Sequence, residues 1–287
     1  MKYLLTALCL VCLLTGTSFQ PADEWTPLLD KTLSKWENYQ SFYHKVGYKG
    51  EAPKDENGNL IEPIGYNVNK NNVFSVIMEN GQPVLHITGE IYGCVFTKQD
   101  FSNYHLKLKF KWGTKKWVPR LDELKDSGLL YHSQGKCGVE YFRSWMLSQE
   151  FQVVENSSGD YWSQSTSRAD ARAVKDSSYK FNPKGTWTAL GGGTGNGGFC
   201  EAGTKMDKPI GDWNEIELIT YGDKSLHIVN GKVVMALQNS RYVDAGVTKP
   251  LTHGKLQLQS EAAEVFYKDI MIKPISSIPA EYKKYFE

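Results

Sequence analysis

Between residues 84 and 275 the chain keeps returning to one pattern, a short segment in which apolar and polar residues alternate. The segments are VLHIT (84–88), YHLKLKFKW (104–112), GLLYH (128–132), EFQVV (150–154), NEIELITY (214–221), LHIVNGKVVMAL (226–237), KLQLQ (255–259) and EVFYKDIMIKPI (264–275). A period of two puts successive side chains on opposite faces of a strand, and the aromatic and β-branched enrichment suits a half-buried sheet. In YHLKLKFKW, Leu106, Leu108, Phe110 and Trp112 face one way and Lys107, Lys109 and Lys111 the other, so one face is core and the other is wet. Asn230-Gly231, between two apolar runs, is a hairpin signal because both positions of a type I′ turn need positive φ. Gly222-Asp223 within YGDKS marks a second turn. No helical pattern alternates with these strands, which argues against βαβ units and predicts an all-β antiparallel sandwich. PAEYKKYFE at the C-terminus reads as a short helix or tail.

With 287 residues, 40% of them hydrophobic, the chain can bury the core of one large domain or two small ones. Thirty-three basic against 32 acidic residues give a net charge of +1, and no element gathers Lys and Arg into a phosphate track, so nucleic acid is not the expected partner. Residues 1–18, MKYLLTALCLVCLLTGTS, have the order of a secretory signal: one Lys, an apolar run, then small residues. The expected location is therefore secreted or periplasmic. The run is shorter than the ~20 residues of a membrane span. Membrane association, at an outer membrane, would follow only from lipidation, for which Cys9 and Cys12 stand too early.

Beyond the leader remain Cys94, Cys137 and Cys200, an odd number that allows at most one disulfide. They form no CxxC or Cys/His zinc spacing and read as small buried hydrophobes. Two stretches rich in Gly, Asn, Ser and Pro, residues 50–72 and 156–212, read as long functional loops. The second contains GTWTALGGGTGNGGFC (185–200), a flexible loop and not a phosphate cradle, because no helix or Lys-Ser/Thr follows it.

Two alternating segments carry groups that are expensive to bury. Glu150 and Gln152, two apart on one strand, share a face, and a half-buried Glu beside an amide is a proton-transfer group with a hydrogen-bonding neighbour. On a regular strand Glu155 would point away from Glu150. His132 ends its strand on the face opposite Tyr131 and is a possible base or ligand. Lys111 ends another strand with a mobile cation. Trp145, Trp162, Trp187 and Trp213 sit in or beside loops, where aromatic faces can stack on sugar C–H surfaces.

In this order the segments resemble the 3-keto-disaccharide hydrolase domain family. WTPLLDKTLSKW (25–36), FSNYHLKLKFKW (101–112), DSGLLYHS (126–133), EFQVVEN (150–156), GDWNEIEL (211–218), IVNGKVV (228–234) and KLQLQSEAAEVFYKDIMIKPI (255–275) carry the match, over residues 24–275. Two positions depart from the family pattern: Asp126 stands where Asn is usual and His132 where Arg is usual. The resemblance implies a concanavalin A-like jelly-roll sandwich as a single domain over 24–275, with 276–287 as a tail. It implies action on glycosides oxidised at C3, whose ketone acidifies the C2 proton so that a base can form an enolate that expels the C1 substituent. On this reading Glu150 or His132 transfers the proton and Lys111 with Gln152 holds the enolate. Tyr131, Arg143, Trp145, Trp162, Arg168 and Gln259 contact the sugar, with Arg143, Arg168 or His132 supplying the family's anion-holding cation. No cofactor is implied; a divalent metal would assist on the ketone, but no ligand cluster in the sequence argues for one.

Two other functions share this architecture. Glu150 and Glu155 approximate the ExDxxE pattern of laminarinase-like retaining glucanases, with Gln152 in place of the central Asp. A carbohydrate-binding lectin module would need only the aromatic platform and amides, and fold alone does not choose among them.

Overall fold

The computed structural model describes residues 24–43 and 51–287, so the leader read from residues 1–18 lies outside the described residues. Two antiparallel sheets pack face to face. The larger runs in the order Tyr179–Phe181, Ser167–Lys175, Lys232–Asp244, Lys224–Val229, Asn214–Tyr221, Tyr104–Lys116, Ala263–Pro274, Gln82–Ile87 and Phe74–Glu79, with three short strands added along it. The smaller runs Phe199–Cys200, Tyr161–Gln164, Leu147–Val154, Asp126–Gln134, Lys255–Ser260, Ile91–Thr97, Trp36–Tyr43 and Gly65–Tyr66. Neighbours along the chain are often not neighbours in the sheets, which is the crossover topology of a jelly roll.

The alternation in the sequence is the inside-outside code of this sandwich. Leu106, Leu108, Phe110 and Trp112 of the larger sheet join Leu129, Tyr131, Phe151, Val153, Leu256 and Leu258 of the smaller in one buried cluster. Asn230 and Gly231 adopt positive φ of 47° and 79° between the paired Val229 and Lys232, as the turn chemistry requires. Tyr221 pairs with Lys224 across the second turn.

The stretch 156–212 is not the long loop its composition suggests. It contains the strands Tyr161–Gln164, Ser167–Lys175, Tyr179–Phe181, Thr186–Gly191 and Phe199–Cys200. In SRADARAVK the inward residues are Ala169, Ala171 and Ala173, all buried; alanine is a weak strand former, and the pattern is silent to a search for β-branched residues. The glycine run turns between two of these strands, with Gly193, Gly195 and Gly197 at positive φ. At the C-terminus the 3-10 helix Ala280–Tyr285 packs Tyr282 and Tyr285 against a second buried cluster, so the tail is part of the domain's packing.

Candidate active site

Because Phe151 and Val153 point into the core, Glu150 and Gln152 must point out of the smaller sheet on its other face. There they meet a cavity of about 740 Å³. Its floor is the sheet itself: Asp126 from one strand, Glu150 and Gln152 from a second, Gln259 from a third, and Glu261 just past that strand's end, bridged to Asp126. Arg120 enters from the connection that precedes the Asp126–Gln134 strand. The wall comes from segment 139–145, where Val139, Tyr141, Phe142 and Trp145 are joined by the charged Glu140 and Arg143, and from Trp162.

Glu150 is only 1% exposed. Gly128 lets it sit there: a Cβ at that position would lie 2.4 Å from Glu150 Oε1 and 2.4 Å from Gln259 Oε1, so the missing side chain lets the two converge over bare backbone. Gln164 Nε2 donates to Glu150 Oε2. Both polar atoms of Gln259 are buried and make no well-formed hydrogen bond within the protein, and its amide end stands against the Glu150 carboxyl. Burial is the main force on Glu150, with the nearby Asp126 and Glu140 carboxyls acting in the same sense; the amides of Gln164 and Gln259 oppose them, and the carboxyl is pushed up to about 8. At neutral pH it is therefore mostly a carboxylic acid, and its conjugate base is stronger than an ordinary carboxylate.

Beside it lies an ion cluster. Arg120 contacts Asp126 at 2.5 Å and Glu261 at 3.1 Å, and Gln152 Nε2 donates to Asp126 Oδ1 at 2.5 Å. Burial raises Asp126 to about 6, with the guanidinium pulling the other way. Burial also pushes Glu261 up, helped by the charge of Asp126 and resisted by Arg120. Burial works against the charge of Arg120, but Glu261 and Asp126 outweigh it and hold the guanidinium ionised. Glu140 accepts from the backbone N–H groups of Phe142, Ser144 and Trp145, which folds the wall segment into shape, and burial raises its carboxyl.

Of the residues expected from the sequence, Glu150, Gln152, Gln259, Arg143, Trp145 and Trp162 share this cavity. Their parts differ. Trp145 is buried, its Nε1–H donating to the Gly93 carbonyl at 3.1 Å, so it is a wall and not a platform. Trp162 is 39% exposed, lies opposite Glu150 in strand register and packs on Phe199; of the two tryptophans it is the one with an open ring. The other four expected residues are elsewhere. His132 sits in a bulge at φ 53°, where the register slips between Tyr131 and Gln134. The slip puts it among Tyr104 and Tyr131, fully buried. Burial takes its imidazole down to about 3, a neutral ring away from the cavity. Tyr131 faces the core, its hydroxyl 2.8 Å from Ser225 Oγ and 3.1 Å from His227 Nε2. Lys111 lies on the wet face of the larger sheet, 3.4 Å from Glu79 and over the Trp213 ring. Arg168 is also on the larger sheet, in the strand Ser167–Lys175.

Arg120, Asp126, Glu261 and Gln164 complete the site without having been expected in it. Glu261 was legible, since Gln257, Gln259 and Glu261 continue one alternation in KLQLQSE. Arg120 carries no such signal, being a loop residue whose only clue is its place just before a site strand. Glu155, the second carboxylate of a glucanase scheme, does not line the cavity; it accepts from the Lys125 backbone and faces the Lys125 ammonium at 3.9 Å. Among the described residues no three His, Cys, Asp or Glu side chains group to hold a metal ion.

The family model of the 3-keto-alpha-glucoside-1,2-lyase-like domain matches residues 24–273. The chain belongs to that family. The sugar-processing, glycosidase-like character of this family agrees with an outward-facing carboxyl in a cavity that has a polar floor and an aromatic wall. Comparison with curated proteins found no match. Among solved structures, a Parabacteroides distasonis protein provisionally named a glycosyl hydrolase is similar at 15% identity, covering 88% of this chain and 100% of its own, with a TM-score of 0.47. A carbohydrate-binding module from Bacillus subtilis is similar at 9% identity, covering 70% of this chain and 91% of its own, with a TM-score of 0.41. A non-specific endo-beta-1,3(4)-glucanase of family GH16 is similar at 12% identity, covering 84% and 86%, with a TM-score of 0.43.

Proposed function

We propose that the protein cleaves 3-keto glycosides by elimination, with Glu150 as the proton-transfer group, in a secreted or periplasmic setting. A ketone at C3 makes the C2–H acidic. The ionised form of Glu150 removes that proton, the electron pair delocalises onto the C3 oxygen as an enolate, and collapse of the enolate expels the oxygen on C1. The same carboxyl, now protonated, can return the proton to that leaving oxygen, and water adds to the double bond afterwards.

The observation that carries this reading is a buried carboxyl raised to about 8 on the floor of the cavity. Its elevated basicity suits a carbon acid better than an ordinary carboxylate would. Enolate charge needs a cation or donors. Arg120 and Arg143 both line this cavity, Arg120 beside the carboxylates of its floor, and the amide of Gln259 is a donor beside Glu150; Arg120 and Gln259 take the part that the sequence reading gave to Lys111 with Gln152. Trp162 and Tyr141 offer ring faces for the sugar and its substituent.

The test is Glu150→Gln assayed on a 3-keto glucoside. Loss of aglycone release with unchanged circular dichroism and retained ligand binding supports the role; turnover at the wild-type rate sinks it.

A further inference from the structure

Cys94 and Cys137 stand 43 positions apart in the chain, yet their sulfurs are 4.0 Å apart. Cys94 is on the strand Ile91–Thr97 of the site sheet, and Cys137 opens the segment whose next residues, Val139, Tyr141 and Phe142, form the cavity wall. Both are buried in one cluster with Tyr39, Phe96, Trp145 and Met146. The backbone around them is already tied down. Cys137 N–H donates to the Tyr66 hydroxyl at 2.8 Å, and Gln257 Oε1 accepts from the Cys94 thiol at 3.2 Å and from Met146 N–H at 3.3 Å. The sulfurs, now in contact, would have to approach to the ~2.0 Å of a bond. Cys200, the third described thiol, belongs to a different cluster.

We propose that Cys94 and Cys137 form a redox modification site, a disulfide that staples the cavity wall to the sheet beneath it. The co-reactant is a disulfide of a small thiol or of a dithiol oxidase. The Cys137 sulfur, on the connecting segment, attacks that disulfide and releases one thiol. The Cys94 sulfur then attacks Cys137 in the mixed disulfide and releases the second. Two protons leave the protein on the released thiols, the protein sulfurs are oxidised, and the co-reactant is reduced by two electrons. Neither sulfur has a part in the proposed sugar chemistry, so this inference stands or falls apart from it. An oxidising compartment, expected from the leader, would hold the staple closed.

The full chain is incubated with oxidised glutathione, quenched with acid, alkylated and digested with trypsin without reductant. The expected product is peptide 71–98 joined to peptide 137–143, with Cys200 in peptide 185–205 alkylated; the link is absent from Cys137→Ser. Cys94 and Cys137 both alkylated or both glutathionylated, or either joined to Cys200 or to another chain, would overturn the pairing. The thermal midpoint of the oxidised wild type should exceed that of the reduced protein, while the oxidant leaves a Cys94→Ser, Cys137→Ser double variant unmoved. Equal midpoints for the two wild-type forms would overturn the staple.

Discussion

Replacing Glu150 by Gln should stabilise the protein, and by an amount that depends on pH. The carboxyl is fully buried and raised from an ordinary value of 4.5 to about 8. A raised carboxyl binds its proton more tightly folded than unfolded, so the stability it contributes is complete below about 4.5 and is lost as pH climbs towards 8. At pH 5 the unfolded chain is only partly ionised at this position, and the cost of folding with Glu150 is under about 1 kcal/mol by linkage. At pH 7 the unfolded carboxyl must be reprotonated across about 2.5 pH units, which costs about 3 kcal/mol at 1.36 kcal/mol per unit. Gln is isosteric, does not titrate and can still accept from Gln164. Urea unfolding of wild type and Glu150→Gln at pH 5, 6, 7 and 8 measures the difference directly. The variant should gain about 2–3 kcal/mol on the wild type between pH 5 and pH 7. A difference that stays flat across this range would mean that Glu150 is ionised in the folded protein and is no neutral acid on the cavity floor.

Three further outcomes follow from the same geometry. Gly128→Ala drives a methyl into Glu150 and Gln259, whose side-chain ends can yield, so the fold should survive while turnover falls about 100-fold, the scale of an ångström-sized misplacement; a wild-type rate would show that their convergence is irrelevant. Arg120→Met leaves Asp126 and Glu261 buried without their cation and should cost about 3–5 kcal/mol in chemical unfolding at neutral pH, with a smaller loss at pH 5 where those carboxyls hold protons. The two tryptophans should separate: Trp162→Ala raises KM with little change in melting, whereas Trp145→Ala costs about 3–5 kcal/mol of stability, and the same response from both would deny that only Trp162 presents an open face.

The sheet faces were legible in the sequence wherever large residues alternate. YHLKLKFKW declares its buried and wet sides, and that reading already put Lys111 on the wet side, where it is found. Assigning Lys111 to chemistry on the other sheet contradicted the chain's own pattern. His132 failed for the opposite reason. Alternation assumes an unbroken strand, and the bulge at φ 53° that turns the ring into the core has no composition signal, since neither Gly nor Asn marks it. The strand Ser167–Lys175 hid behind alanines. In the site, Glu150, Gln152 and Gln259 could be found because strand spacing fixes which way they point. Arg120 could not, because a loop residue's position depends on how the chain closes around it and not on any period.

The central claim is that Glu150 moves a proton at C2 of an oxidised sugar. Incubating the protein in D₂O with a 3-keto glucoside and, separately, with its unoxidised parent, while following deuterium entry at C2 and release of the aglycone, tests it most directly. Exchange and release from the keto sugar alone, both lost in Glu150→Gln, is the predicted result. Release from the parent sugar, or release from the keto sugar that persists in Glu150→Gln, would contradict it.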